Sequence, residues 1–394
     1  MAEVKIYGVG AGGGSGASPI MVLGTGGTST QRCGAFNSAS GDYSMAWGKC
    51  AIASGYASTA SGYCTNASDN FSIASGDRTT SSGRNSIASG FSTTASGNFS
   101  TTSGICVTAS GYSSTASGFY TTASGYYSTA SGQFTTASGF HSTASGIYTT
   151  ASGRYSTASG FCTTASCYSS TASGVCTTAS GYSSTASGFC STASGRYSTA
   201  LGVRAIASAN NSTASGVCTT ASGYYSTASG RYTTASGYYS IASGFYACAS
   251  QYGQRSWANG SFSRSVPDAQ QVQYVLRQTT SLASQPLYLY LDGSAEEISI
   301  KTDSVMMLNI NTIGIETDGA PVGSSQVYVI IKNVGGTTSI IHQNVIADHY
   351  GVGGLAITIS ANNTTDTLQI QVTGTNNAMR WVSYVNGVEI LYAT

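Results

Sequence analysis

The chain has 394 residues and a mass of 39.9 kDa, room for two or three ordinary domains. Only 7% of its residues are charged, against about 25% in a typical soluble protein, yet 10% are aromatic, which excludes an ordinary disordered polar tract. A net charge of +1 argues against a nucleic-acid binder, and no run of eighteen apolar residues exists to form a transmembrane helix.

Residues 1–33 are glycine-rich after a short strand-like start, Val4 to Val9. With one lysine and no apolar stretch of signal-peptide length, this start does not read as a Sec-type secretory signal. The segment is expected to attach the chain to a larger assembly or to act as a flexible leader.

Residues 34–263 are governed by a repeat. Stepping by seven from Gly34 to Gln251 visits 32 positions, of which 28 are glycine, and the exceptions are Asp69, Cys167, Ala209 and Gln251. All four fall in one alternate set, while the set Gly34, Gly48, Gly62 onward to Gly244 has no exception. The unit is therefore fourteen residues with two unequal halves. Other columns agree: serine at every step from Ser44 to Ser240, mostly threonine in the matching column (Thr65, Thr79, Thr93, Thr121), and Cys50, Cys64, Cys106, Cys162, Cys176, Cys190 and Cys218 at multiples of fourteen.

Glycine at each seventh residue would cost a helix about 1 kcal/mol apiece, and collagen needs glycine at every third position, so coiled coil and collagen both fail. Short strands broken by glycine turns fit, with two strands and two turns per coil stacking about 4.8 Å apart as a parallel β-roll. Gly48, Gly62, Gly76, Gly90, Gly104, Gly118, Gly132 and Gly146 are expected at the more crowded turn. Strand alternation puts the alanine column (Ala116, Ala123, Ala130) and its Ser/Thr neighbours on one side, the aromatic, cysteine and outer threonine positions on the other. So thin an interior argues for association of several chains, three being the expected number.

Residues 264–394 change character, holding 10 of the 14 acids and no cysteine, after a linker-like Arg264-Ser265-Val266-Pro267. Leu287 to Leu291, Val327 to Lys332, Ala356 to Ser360, Leu368 to Val372 and Met379 to Val385 read as strands separated by Asp-Gly, Gly-Gly and Asn-Asn turns. The expected fold is all-β: a parallel β-roll of fourteen-residue coils followed by an antiparallel β-sandwich.

Asp42-Tyr43-Ser44-Met45-Ala46-Trp47-Gly48-Lys49-Cys50-Ala51-Ile52-Ala53-Ser54-Gly55 resembles the head repeat of trimeric autotransporter adhesins, over roughly residues 34 to 251. The resemblance implies a left-handed parallel β-roll trimer. It departs from the family where valine and isoleucine give way to threonine and serine, which implies a more polar packing. Asp268-Ala269-Gln270, Tyr274 to Arg277, Leu291-Asp292-Gly293, Asn363 to Gly374 and Arg380-Trp381-Val382 resemble the C-terminal β-sandwich of phage tail fibres and related virion proteins. That resemblance implies a terminal fibre domain without catalytic function.

Chemistry-bearing residues are few. The cysteines lack a Cys-x-x-Cys pair and are expected as free thiols packed like small hydrophobes, with disulfides and metal as alternatives. His141 replaces a tyrosine in the aromatic column, and the roll's acids, Asp42, Asp69 and Asp77, offer no pair for glycan hydrolysis. Tyr120, Tyr127, Tyr148, Tyr155, Tyr225, Tyr232 and Tyr239 form ladders suited either to stacking along the roll or to contact with a sugar. The expectation is a non-enzymatic, homotrimeric virion fibre without metal or cofactor, assembled in the host cytoplasm. It is joined to a baseplate or capsid through residues 1–33 and attaches to a host-surface receptor of glycan type, with no nucleic-acid partner and no membrane insertion. A bacterial surface adhesin or self-assembling extracellular filament is the alternative. An ice-binding solenoid is a third, opposed by tyrosines interleaved with the threonine columns.

Overall fold

The computed structural model describes residues 22–23, 30–31, 36–262, 268–280, 285–317, 319, 321–350, 355–375 and 377–392. Among them there is no helix: the fold is a parallel β-solenoid of about 16 turns followed by an antiparallel sheet region. The Val4 to Val9 strand, Cys33 and the Arg264–Pro267 linker lie outside the described residues. The chain divides into two compact units, Met1–Phe189 and Cys190–Thr394.

In the first unit each coil contributes one strand of five residues and one of two, such as Thr115–Phe119 and Thr122–Ala123. Successive long strands pair in parallel and in register, Ala116 beside Ala130, and the short strands do the same, Ala123 beside Ala137. Both alanine columns are fully buried, together with Ser114, Ser128 and Thr121, as alternation requires. The serine hydroxyl is used: Ser114 Oγ donates to the Gly111 carbonyl at 2.7 Å, and Ser128 to Gly125 likewise. The threonine column behaves otherwise. Ten of its buried hydroxyls, Thr65 to Thr233, have no hydrogen-bond partner among the described residues.

The glycines without exception do not form turns. Gly48, Gly62, Gly76, Gly90, Gly104, Gly118, Gly132 and Gly146 each lie fourth in a five-residue strand, at φ between 120° and 131°. A Cβ on Gly132 would sit 2.0 Å from the Gly146 carbonyl oxygen of the next coil. The alternate set is equally crowded, with a Cβ on Gly125 falling 2.0 Å from the Gly139 oxygen, but its φ is not in the left-handed region. Conformation, not crowding, separates the sets: Asp69, Cys167, Ala209 and Gln251 occur only where an L-residue can adopt the backbone.

The corners are made by side-chain-bearing residues. From Tyr43 to Tyr246, every seventh residue has φ between 51° and 64°. Such a residue costs about 1–2 kcal/mol in isolation. Here corner amides are tied to the coil before them, as Tyr127 N–H donating to the Tyr112 carbonyl at 2.8 Å. The tyrosines thus stand at corners and not among the outward threonines. The outer rows are Thr115 and Ser117 on one sheet and Thr122 and Ser124 on the other, repeated in register coil after coil.

The second unit has coils of the same kind, Ala214 beside Ala228 and Ala221 beside Ala235, up to a last long strand Arg255–Asn259. Beyond it nine strands follow among the described residues: β1 Ala269–Thr280, β2 Pro286–Tyr288, β3 Ile298–Ser299, β4 Ser304–Glu316, β5 Pro321–Val334, β6 Thr337–Tyr350, β7 Ala356–Asn362, β8 Thr367–Thr373 and β9 Met379–Leu391. β1 pairs antiparallel with Arg255–Asn259, so hydrogen-bonded sheet runs from the last coil straight into the antiparallel region. The order β1-β9-β4-β5-β6 makes one sheet. β8 carries β2 and β3 on one side and β7 on the other to make a second. Their inner faces share a core that includes Tyr274, Leu308, Val329, Ile370 and Trp381.

The end of the solenoid is closed by glutamines. Gln254 occupies the column that holds serine up to Ser240, and its Oε1 accepts from Ser250 N and Gln251 N at 2.8 and 3.0 Å. Gln270 mimics one more strand: its Oε1 accepts from Cys248 N at 2.8 Å while its Nε2 donates to the Cys248 carbonyl at 2.9 Å. Behind it, buried Glu389 receives Gln270 Nε2 and pairs with Lys301 at 3.2 Å. Burial raises the Cys248 thiol and the Tyr274 phenol above their ordinary ranges.

Candidate functional site

The candidate site is the pair of aromatic rims that the corners build. The left-handed backbone at each corner aims the side chain outward, and the coil register repeats it directly above its predecessor. All seven tyrosines expected as ladder members are exposed, from 38% for Tyr232 to 52% for Tyr148. They fall on two different rims. Tyr120, Tyr148 and Tyr232 follow the long strand, whereas Tyr127, Tyr155, Tyr225 and Tyr239 precede it.

On the first rim Tyr120, Phe134 and Tyr148 stack face to face, with centroids 5.4 and 5.0 Å apart and interplanar angles of 11° and 3°. On the second, Tyr127, His141 and Tyr155 stack at 4.7 and 5.5 Å, so the histidine does take a tyrosine's place. In the second unit Tyr225 stacks on Tyr239 and Tyr232 on Tyr246, both at 4.9 Å. Each contact of this kind is worth about 0.5–1.5 kcal/mol beyond burial.

Sequence reading missed a second ring position at each corner. Tyr112, Tyr126, Tyr168 and Tyr182 sit one residue before the expected column, Tyr168 stacking on Tyr182 at 5.0 Å and 5°. In that column Asn98, Phe140 and Arg154 alternate with tyrosine, which hides its periodicity, although a fourteen-residue step from Tyr112 to Tyr126 and from Tyr168 to Tyr182 is visible once sought. The two columns interlock edge to face, as Tyr155 with Tyr168. The result is an unbroken run of ring contacts from Phe99 through Tyr112, Tyr127, His141, Tyr155 and Tyr168 to Tyr182. Arg154 lies over Phe140 and Tyr155, at 5.1 and 5.7 Å from the ring centroids.

Chemically the rims offer contact and hydrogen bonding. Rings stacked face to face cover one another's faces and leave edges outward, with a phenol hydroxyl wherever tyrosine holds the column, as at Tyr120 and Tyr148 on one rim and Tyr127 and Tyr155 on the other. Tyr120 is modified by its neighbour: a hydrogen bond with the Cys106 side chain, one coil earlier, raises its phenol above the ordinary range. The described cysteines are free, as expected, but Cys64, Cys162 and Cys176 are exposed on the rim and not packed as small hydrophobes. Among the described residues no three His, Cys, Asp or Glu side chains gather as a metal site.

Residues 53–79, 81–101, 109–135, 137–161, 193–217 and 221–247 match the YadA head domain repeat. The coils are similar to YadA heads. No curated protein matches the chain. Among solved structures, tailspike protein gp49 of Acinetobacter baumannii bacteriophage Fri1, a capsular polysaccharide depolymerase, is similar over 90% of this chain and 70% of its own, at 10% identity and a TM-score of 0.23. A likeness at that level carries no argument about this chain's chemistry.

Proposed function

We propose that the protein is an adhesive fibre component whose solenoid rims contact a hydroxyl-rich, glycan-type surface. The observation that supports it is the unbroken ring run from Phe99 to Tyr182, exposed as far as Tyr168, with Arg154 over Tyr155 of the run and over the adjoining Phe140. The similarity of the coils to YadA heads favours the same class. In this reading the fibre is a homotrimer on a virion, residues 1–33 join it to the particle, residues 34–263 form its shaft and residues 264–394 its terminal domain. A bacterial surface adhesin would use the rims in the same way. The test is an array of bacterial surface polysaccharides probed with the full chain: binding to a subset of glycans is expected, and binding to none overturns the reading.

A second reading rests on a different observation. The outward Thr-x-Ser rows are in register, Thr122 and Ser124 on the short strands free of rings, while on the long strands Phe119 and its equivalents end the same outward face. Such a surface could order water as ice does. Thermal hysteresis of an ice crystal in the protein's solution would establish it, and freezing with no hysteresis gap would reject it.

A further inference from the structure

The first rim carries thiols that its ring contacts do not use. Its column runs Tyr120, Phe134 and Tyr148 as a face-to-face stack, then places Cys162 and Cys176 on the next two coils. Nearer the start of the solenoid the same column holds Cys50 and Cys64, again on successive coils. All four keep the corner backbone, at φ between 51° and 58°. Cys64, Cys162 and Cys176 are exposed and Cys50 is half-buried, so solutes reach both pairs.

The coils fix the spacing within each pair. The preceding residues lie side by side in parallel register, Lys49 beside Tyr63 and Phe161 beside Val175. The later amide is tied back to the earlier coil: Cys64 N–H donates to the Lys49 carbonyl and Cys176 N–H to the Phe161 carbonyl, both at 2.8 Å. The rings of the column show how its side chains stand. Phe134 and Tyr148 are 5.0 Å apart and 3° from parallel, and Tyr232 and Tyr246 are 4.9 Å apart at 11°. Side chains here project in parallel, one coil's rise apart. Two thiols in the same rotamer therefore stand about 4.8 Å from each other.

That separation selects the chemistry. A disulfide needs sulfurs about 2.05 Å apart and Cβ atoms about 3.8 Å apart, nearer than hydrogen-bonded coils bring them. A tetrahedral ion with bonds of about 2.3 Å needs sulfurs about 3.8 Å apart and two further ligands. Among the described residues no third His, Cys, Asp or Glu gathers with either pair. A linear sulfur–metal–sulfur bridge with bonds of the same length spans about 4.6 Å, which matches the coil's rise and needs two ligands alone. Thiolate is a soft ligand that selects Cu(I), a cation content with two ligands in line.

We propose that Cys50 with Cys64, and Cys162 with Cys176, are two-coordinate sites for a soft monovalent cation of the Cu(I) class. Each bridges adjacent coils where the column has no rings to stack. On binding, two S–H bonds break and two metal–sulfur bonds form, two protons leave to solvent, and the cation keeps its oxidation state.

The experiment is an anaerobic titration of the reduced full chain with Cu(I) against bathocuproine disulfonate as competing chelator, counting the cations retained. Three variants accompany the wild type: Cys64→Ser, Cys176→Ser and Cys106→Ser. Ser92 already occupies this column at φ 55°, so the fold accepts serine there. Cys106 is the control, since the column places Ser92 and Tyr120 on the coils before and after it. Cys64→Ser should lose one cation, Cys176→Ser at least one and Cys106→Ser none. X-ray absorption at the copper edge should count two sulfurs per cation. Equal retention by all four chains overturns the sites. So does a loss in Cys106→Ser equal to that in Cys64→Ser, which assigns the binding to single thiols. Three or more sulfurs per cation overturns the linear bridge.

Discussion

The repeat is held by residues whose roles differ although their spacing is the same. At Gly132 the backbone sits at φ 123° inside a strand, while at Gly125 the left-handed region is not required. Both would bring a Cβ to 2.0 Å from a carbonyl oxygen of the next coil. Gly132→Ala should therefore destabilise the fold by about 1–3 kcal/mol more than Gly125→Ala, the difference being the conformational strain. Thermal or denaturant unfolding of the two variants measures it, and equal losses would show that crowding alone selects glycine. The buried threonine hydroxyls lead to an opposite expectation. Val107 already occupies their column at full burial, and Thr149 Oγ1 has no partner. Thr149→Val should leave stability unchanged or raise it by about 1 kcal/mol, because an unpaired buried hydroxyl is a liability. A clear loss in the same unfolding experiment would mean that the hydroxyl is satisfied in solution.

At the scale of strands and turns, periodicity carried most of the information. The fourteen-residue coil, its two halves, the buried alanine and serine columns and the exposed tyrosines were all legible, because stacking in register forces each column to obey one environment. What periodicity cannot report is the reason a column is invariant. Gly48 and its equivalents looked like turn glycines and are strand glycines, since the spacing of a left-handed backbone inside a strand is the same as that of a turn. The second ring column was hidden because its corner tolerates Tyr112, Asn98, Arg154 and Phe140 alike. The end caps were invisible as well: Gln254 and Gln270 act through single amides that replace a missing coil, and nothing repeats there. In the C-terminal region β1 and β4 went unread although Val272, Tyr274 and Leu276 and Met306, Leu308 and Ile310 alternate in them, and only β2, β5, β7, β8 and β9 were legible. β6 was not, because His342, Gln343, Asn344 and Asp348 break any alternation, which fits a strand that overhangs the core.

At the scale of the whole molecule, the chain devotes its solenoid to presenting two rims and keeps its interior to alanine, serine and threonine. On the proposed function the rims make the contact with a hydroxyl-rich ligand, beyond stabilising the coils by stacking. Serine is native in the column of Tyr127 at Ser113, Ser169 and Ser183, all at the same left-handed φ of 51°, so the fold accepts it there. The decisive measurement is the affinity of the full chain for its best array polysaccharide, compared with a variant carrying Tyr127→Ser, His141→Ser and Tyr155→Ser. Loss of three rings at about 0.5–1.5 kcal/mol each predicts at least a ~10-fold weaker affinity, with the fold intact by circular dichroism. An unchanged affinity would contradict the claim and assign the rims to stacking alone.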